Sequence, residues 1–187
     1  MISIINFGSA KTHEILGCLT ALGFTASIFD WKEAEKVDWK KTKGIILSGS
    51  PILLTETNCD IYFEKFNFLK NINVPVLGIC FGHQLLGLLF GASVFRSDEV
   101  RTVIEIKIGL KDTLFDGFDD KIEMAEDHTE GITLPDSFIR LASSEKYEVE
   151  AMKHFILNIF GVQFHPEISG ENGLIVLNNF CKLTLTN

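Results

Sequence analysis

The chain has no excess of basic charge, no long apolar run and few cysteines, and each absence closes off a class of function. Lys and Arg number 17 against 25 Asp and Glu, and the net charge of −8 argues against nucleic acid as a primary ligand. No run approaches the ~18 uninterrupted apolar residues of a membrane span. The opening Met1-Ile2-Ser3-Ile4-Ile5 lacks the basic start of a signal peptide and reads as a first strand. Four cysteines in 187 residues do not make a disulfide framework and point to a reducing cytoplasm. Neither a Gly-x-x-x-x-Gly-Lys-Ser/Thr loop nor a Gly-x-Gly-x-x-Gly fingerprint is present, so any nucleotide chemistry belongs to another chain. Without repeats, low-complexity tracts or a long linker, and with 46% hydrophobic residues, one domain over 1–187 is expected.

What is present alternates between strand-like and helix-like segments. Ile2–Phe7, Thr25–Phe29, Gly44–Leu47 and Val74–Ile79 are short and rich in β-branched or apolar residues. Between them, Thr12–Leu22 carries Ile15, Leu16, Leu19 and Leu22 at helical spacing, and Gly23 stops it. Ile61–Asn71 and Gln84–Phe90 also read as helices, and Asn172–Leu185 as a closing one. This alternation predicts an α/β fold: a mostly parallel, flavodoxin-like sheet with helices on both faces. From Ser93 to Ile108 the pattern becomes alternating, and Lys121–Ala125, Ile139–Ala142 and Glu148–Lys153 also read as strands, which suggests a small antiparallel extension.

Two segments carry chemistry. In Gly78-Ile79-Cys80-Phe81-Gly82-His83-Gln84 a thiol sits between a strand and a helix, flanked by glycines two residues away on either side. This is the thiol counterpart of a nucleophile elbow. The turn exposes the sulfur beside a helix N-terminus, where free N–H groups favour negative charge, and aims the N–H of Phe81 at a developing oxyanion. In Gly161-Val162-Gln163-Phe164-His165-Pro166-Glu167 a strand ends on His165. Residues i and i+2 of an extended segment share a face, so Glu167 can orient His165 as a base. Taken singly, a cysteine after an apolar strand is a small core residue and a His-x-Glu is a surface turn or a partial metal site. Together the segments supply nucleophile, base and orienting acid. Cys18, Cys59 and Cys181 have no such context. No second Cys-x-x-Cys or His cluster accompanies His83, so no metal site is expected. Asp127-His128-Thr129-Glu130 reads either as a loop at the site rim or as a plain exposed loop. Lys153, His154 and Arg101 read as surface positions.

The two motifs resemble those of the class I, triad-type glutamine amidotransferases, and the resemblance extends over nearly the whole chain, including Gly44-Ile45-Ile46-Leu47-Ser48-Gly49-Ser50-Pro51. It implies that Cys80 attacks the side-chain amide of glutamine, that His165 acts as base and then acid, and that Glu167 orients it. It also implies an oxyanion hole from Gly49, Ser50 and Phe81, with Gln84 helping to hold glutamine. Within that family the chain is most similar to the glutaminase subunit of GMP synthase, through Asp127-His128-Thr129-Glu130, Leu134-Pro135-Asp136-Ser137-Phe138, Leu141-Ala142-Ser143-Ser144 and Val149-Glu150-Ala151-Met152-Lys153-His154. That likeness implies delivery of ammonia to an ATP pyrophosphatase partner that aminates xanthosine monophosphate (XMP), with ATP and Mg²⁺ on the partner and no cofactor in this chain. Anthranilate- or aminodeoxychorismate-type partners, a stand-alone γ-glutamyl hydrolase and a non-catalytic regulatory module stay open. The chain also departs from the family pattern. Ser50 stands where Gly-Gly-Pro is usual, which would be costly if the loop needed positive φ; on that condition Ser50→Gly is expected to raise glutaminase activity.

Overall fold

The computed structural model describes residues 1–185. Its centre is a nine-stranded sheet whose first half is parallel. In chain order the strands of that half are β1 (Ile2–Asn6), β2 (Ala26–Asp30), β3 (Gly44–Leu47), β4 (Val76–Ile79) and β11 (Ile159–Val162), arranged in space as β2-β1-β3-β4-β11. β3, β4 and β11 are four residues each and buried throughout, as strands covered on both faces must be. Alternate side chains of one strand serve the two faces. Ile4 packs in the layer of α1 (Thr12–Ala21) and α4 (Gly170–Leu183), with Ile15, Leu19, Leu177 and Phe180. Its neighbour Ile5 packs in the layer of α2 (Asp60–Phe66) and α3 (Phe81–Leu89), with Tyr62, Phe66, Leu85 and Leu86.

The sheet then continues antiparallel through β10 (Ala151–His154), β9 (Phe138–Ser143), β6 (Val103–Ile108) and β7 (Lys121–Ala125). The alternating segment from Ser93 divides in two at Arg101-Thr102. β6 joins the main sheet, whereas β5 (Val94–Val100) pairs with β8 (His128–Ile132) in a separate two-stranded ribbon. The antiparallel extension is therefore larger than the sequence pattern suggests, because four of its strands extend the main sheet.

Three local readings are corrected. Residues 128–132 form a strand, not a loop, and His128 and Glu130 are buried. His154 is buried rather than on the surface, with its ring against Phe90 and Phe138 and its Nδ1 accepting from the N–H groups of Ile156 and Leu157. Lys153 is mostly covered and pairs with Asp112 at 2.6 Å. No helix among the described residues is long and apolar enough to cross a membrane.

Candidate active site

β3, β4 and β11 are adjacent and parallel, so their C-terminal ends converge, and each releases one part of the site. The order places β4 between the other two. Ligands of open α/β sheets bind at such ends.

β4 ends at Ile79, and the chain turns at Cys80 into α3. Cys80 has φ 50° and ψ −106°, and it is the one non-glycine residue at positive φ among those described. That backbone costs on the order of 1–3 kcal/mol and survives only where its surroundings enforce it. The enforcement is visible. The Cys80 N–H donates to Val162 O at 2.8 Å, and the Gly82 N–H to Ser48 O at 3.1 Å. The two glycines allow strand and helix to touch. A Cβ on Gly78 would lie 2.5 Å from Gly82 C, and one on Gly82 would lie 2.4 Å from Leu47 O. The Phe81 N–H begins α3 and belongs to the first-turn donors that lack intrahelical acceptors. The Cys80 thiol faces the Asp127 carbonyl at 3.9 Å.

β11 delivers the imidazole. His165 is anchored through its N–H to Ala125 O at 2.8 Å, and its Nδ1 lies 2.7 Å from Glu167 Oε1. Both side chains are nearly inaccessible. Burial disfavours charge on His165, but hydrogen bonds to Cys80 and Glu167 outweigh it and carry the imidazole up to about 10. The Cys80–His165–Glu167 chain is thus continuous, with the ring between thiol and carboxylate.

β3 delivers the loop expected to hold an oxyanion. A Cβ on Gly49 would stand 3.1 Å from His165 Cε1 and 3.8 Å from Cys80 Cβ, so this glycine abuts the pair. Ser50 is at negative φ, which removes the ground for a conformational penalty there. Its hydroxyl fastens the loop, donating to Phe7 O at 2.8 Å and accepting from the Ile52 N–H at 3.1 Å. The expected gain from Ser50→Gly therefore loses its premise.

Gln84 lies on the first turn of α3 and is 3% exposed. Its Nε2 donates to Glu130 O at 2.8 Å and to Gln163 Oε1 at 3.1 Å. The group expected to hold glutamine is itself fixed by β8 and by the residue after β11. Cys80, Ser50, Gln84 and His165 share a cavity of about 510 Å³, whose mouth carries Lys11 and Arg101.

Several residues of this wall escaped the sequence reading. Asp127 pairs with Lys11 at 2.5 Å and with Arg101 at 3.0 Å. Partial burial would raise its carboxyl, but the two cations prevail and hold it below the usual range. Glu130 accepts from the N–H groups of Leu54 and Thr55 at 2.8 and 2.9 Å and from the Thr55 hydroxyl, which staples the segment after Ser50 to β8. The polar run Asp127–Glu130 was visible in sequence; its burial was not. Among the described residues no His/Cys/Asp/Glu group is arranged to hold a metal.

The class-I glutamine amidotransferase profile matches residues 3–183. The chain belongs to the class-I glutamine amidotransferase family. It is 39% identical over 187 residues to the glutamine-hydrolyzing subunit of GMP synthase from Pyrococcus furiosus, covering 98% of each chain. It is 38% identical to the protein of the same name from Methanococcus maripaludis, covering 97% of this chain and 96% of that one. Among solved structures, one from Thermoplasma acidophilum, provisionally assigned as the corresponding GMP synthase subunit, superposes with a TM-score of 0.85 at 28% identity, over 99% of this chain and 94% of that one. A glutamine amidotransferase from Thermotoga maritima, at 23% identity and a TM-score of 0.76 over 91% of this chain and 77% of that one, shares the fold. This amidotransferase is thus homologous to the glutamine-hydrolyzing chain of GMP synthase along essentially its whole length.

Proposed function

We propose that this amidotransferase is the glutaminase subunit of a two-chain GMP synthase, working through Cys80, His165 and Glu167. The reading rests above all on the buried imidazole suspended between thiol and carboxylate. Glutamine enters the cavity with its side-chain amide beside Cys80 and its polar groups near Gln84. The sulfur, its proton passed to His165, attacks the amide carbon. The oxyanion meets the N–H of Phe81 and of the Gly49–Ser50 loop, donors typically worth ~2.7–4 kcal/mol each at the transition state. His165 returns its proton to the amide nitrogen, the C–N bond breaks, and ammonia leaves a γ-glutamyl thioester. Water, deprotonated by His165, attacks the thioester, and glutamate departs as the thiol is restored.

In this reading ammonia passes to an ATP pyrophosphatase chain that holds ATP and Mg²⁺ and aminates XMP in the cytoplasm. The amidotransferase itself forms one domain, uses no cofactor, and engages neither nucleic acid nor membrane. Identity of 38–39% over full length to glutamine-hydrolyzing chains of GMP synthase supports this acceptor over other synthases.

The test is glutamine hydrolysis by wild type and Cys80→Ala, alone and with the ATP pyrophosphatase chain of a GMP synthase, ATP, Mg²⁺ and XMP. Cys80-dependent hydrolysis that rises with partner and nucleotide, together with GMP formation, is expected. Cys80-dependent hydrolysis indifferent to that partner would reject the GMP branch. Failure of an electrophilic glutamine analogue to label Cys80 in any mixture would reject the nucleophile.

A further inference from the structure

Behind the nucleophile lies a buried chain of titratable groups that the steps above leave unused. Glu126 follows β7, His128 opens β8, and Glu150 precedes β10. All three are buried, Glu150 completely. The His128 ring has oxygen on both sides: Nδ1 stands 2.9 Å from Glu130 O, and Nε2 makes a bent contact of 2.9 Å with Glu126 Oε2. Glu126 in turn stands within hydrogen-bond range of Glu150.

Counting protons makes the arrangement informative. The Glu130 carbonyl can only accept, so Nδ1 must carry the single hydrogen of a neutral ring. Nε2 then presents a lone pair to Glu126 Oε2, and Glu126 presents a carboxylate to Glu150. Two acceptors in contact away from water repel unless a proton lies between them. With both carboxyls ionised, the oxygen atoms of Glu126 and Glu150 and His128 Nε2 are buried without hydrogen bonds. A proton at each contact satisfies them and leaves the chain without net charge.

We propose that the His128–Glu126–Glu150 chain works in its protonated, uncharged form, and that in this form it is a positioning element of the glutamine site. The inference rests on the glutaminase reading above. The route to the site is short. His128 holds Glu130 O, which receives the Gln84 amide, and Asp127, next to both Glu126 and His128, presents the carbonyl that faces Cys80. Loss of the protons places like charges together behind this loop and pushes it from the nucleophile.

The surroundings favour the uncharged form. Burial raises the Glu126 carboxyl, and burial with the adjacent Glu126 charge raises that of Glu150. Burial lowers His128, so protons reside on the carboxyls rather than on the ring. From α3, His83 is fully enclosed and held neutral, pushed down to about 3 by burial and by His128. Tyr147, raised chiefly by burial, packs on His128 with ring centroids 4.6 Å apart. Ser144 hydrogen-bonds Glu150, while charged His165 faces Glu126 and His128. Asp127 is neutralised separately by Lys11 and Arg101.

The sign of the linkage follows. Carboxyls raised in the folded state contribute stability that is complete below their ordinary 4.5 and is lost as pH rises through their folded values, about 7 and about 9. Thermal melts of substrate-free wild type, Glu150→Gln and Glu126→Gln from pH 5 to 9 read this directly. Relative to wild type, each glutamine variant is expected to gain in Tm as pH rises. For Glu150→Gln the alkaline limb of kcat/KM for glutamine should also shift to higher pH. A merely structural side chain would change Tm and rate by the same amount at every pH, and that result overturns the proposal. If the variants fail to fold, infrared spectroscopy of wild type decides. A protonated-carboxyl stretch at pH 7, lost by pH 10 with the fold intact, is expected, and its absence at pH 7 overturns the proposal. The expected melting shift without any glutaminase activity would keep the protonated chain and fault the glutaminase reading instead.

Discussion

Ser50 gives the sharpest test of how the oxyanion loop is held, because a glycine-rich loop and a hydroxyl-fastened loop predict opposite signs. Ser50→Gly removes two hydrogen bonds, to Phe7 O and from the Ile52 N–H, and gives the loop backbone more freedom. Each bond is worth about 0.5–1.5 kcal/mol net, so about 1–3 kcal/mol of stability is lost, with a further ~0.5–1 from the glycine itself. Ser50→Ala isolates the first part. At about 2–4 °C per kcal/mol for a chain of this length, Ser50→Ala should melt about 2–12 °C below wild type. The kinetic effect is separate. If loosening forfeits half of one donor's ~2.7–4 kcal/mol, the barrier rises by roughly 1.4–2 kcal/mol and kcat falls roughly 10–30-fold. KM should move little, because the oxyanion exists only in the transition state. The assay is steady-state release of ammonia from glutamine, with the partner present and absent. Equal or faster turnover in Ser50→Gly would refute the reasoning and restore the conformational penalty as the dominant effect.

Three further outcomes follow from the same geometry. Glu167→Gln keeps the size of the side chain but removes the charge 2.7 Å from His165 Nδ1; kcat should fall on the order of 10²–10⁴-fold with little change in analogue binding, and a fall under threefold would reject Glu167 as the orienting group. Gly82→Ala forces a Cβ to 2.4 Å from Leu47 O, so a stability loss of about 1–3 kcal/mol or more with slower Cys80 labelling is expected, measured by denaturant melts and analogue trapping; a neutral variant would mean that β3 and α3 can part freely. Charged His165 contributes stability that is complete below its ordinary 6.5 and lost as pH rises through about 10, so the Tm advantage of wild type over Glu167→Gln should shrink from pH 7 to pH 10; an advantage independent of pH would show that His165 is not charged in the free enzyme.

What could be read from the sequence follows from how local each constraint is. Cys80, with its flanking glycines and its helix, is a local arrangement: a strained turn, two close approaches and a helix start fall within five residues. His165 and Glu167 likewise need only their i, i+2 spacing to meet. The parallel half of the sheet was legible because strands buried on both faces are almost wholly apolar. β8 was not, because its burial serves polar contacts. His128 and Glu130 look like loop residues until Glu126, Thr55 and Gln84 are placed around them. The Lys11–Asp127 pair joins positions 116 residues apart, and no periodicity announces such a contact. Ser50 shows the remaining difficulty. Its identity was plain, but the sign of its effect turned on one backbone angle and two hydrogen bonds that tertiary structure alone supplies. Residues that perform the chemistry are constrained in type and spacing and so stand out in sequence. Residues that hold them are constrained only by what lies across the fold, and for that reason the polar wall behind Cys80, rather than the nucleophile itself, is where substitutions will best separate positioning from chemistry.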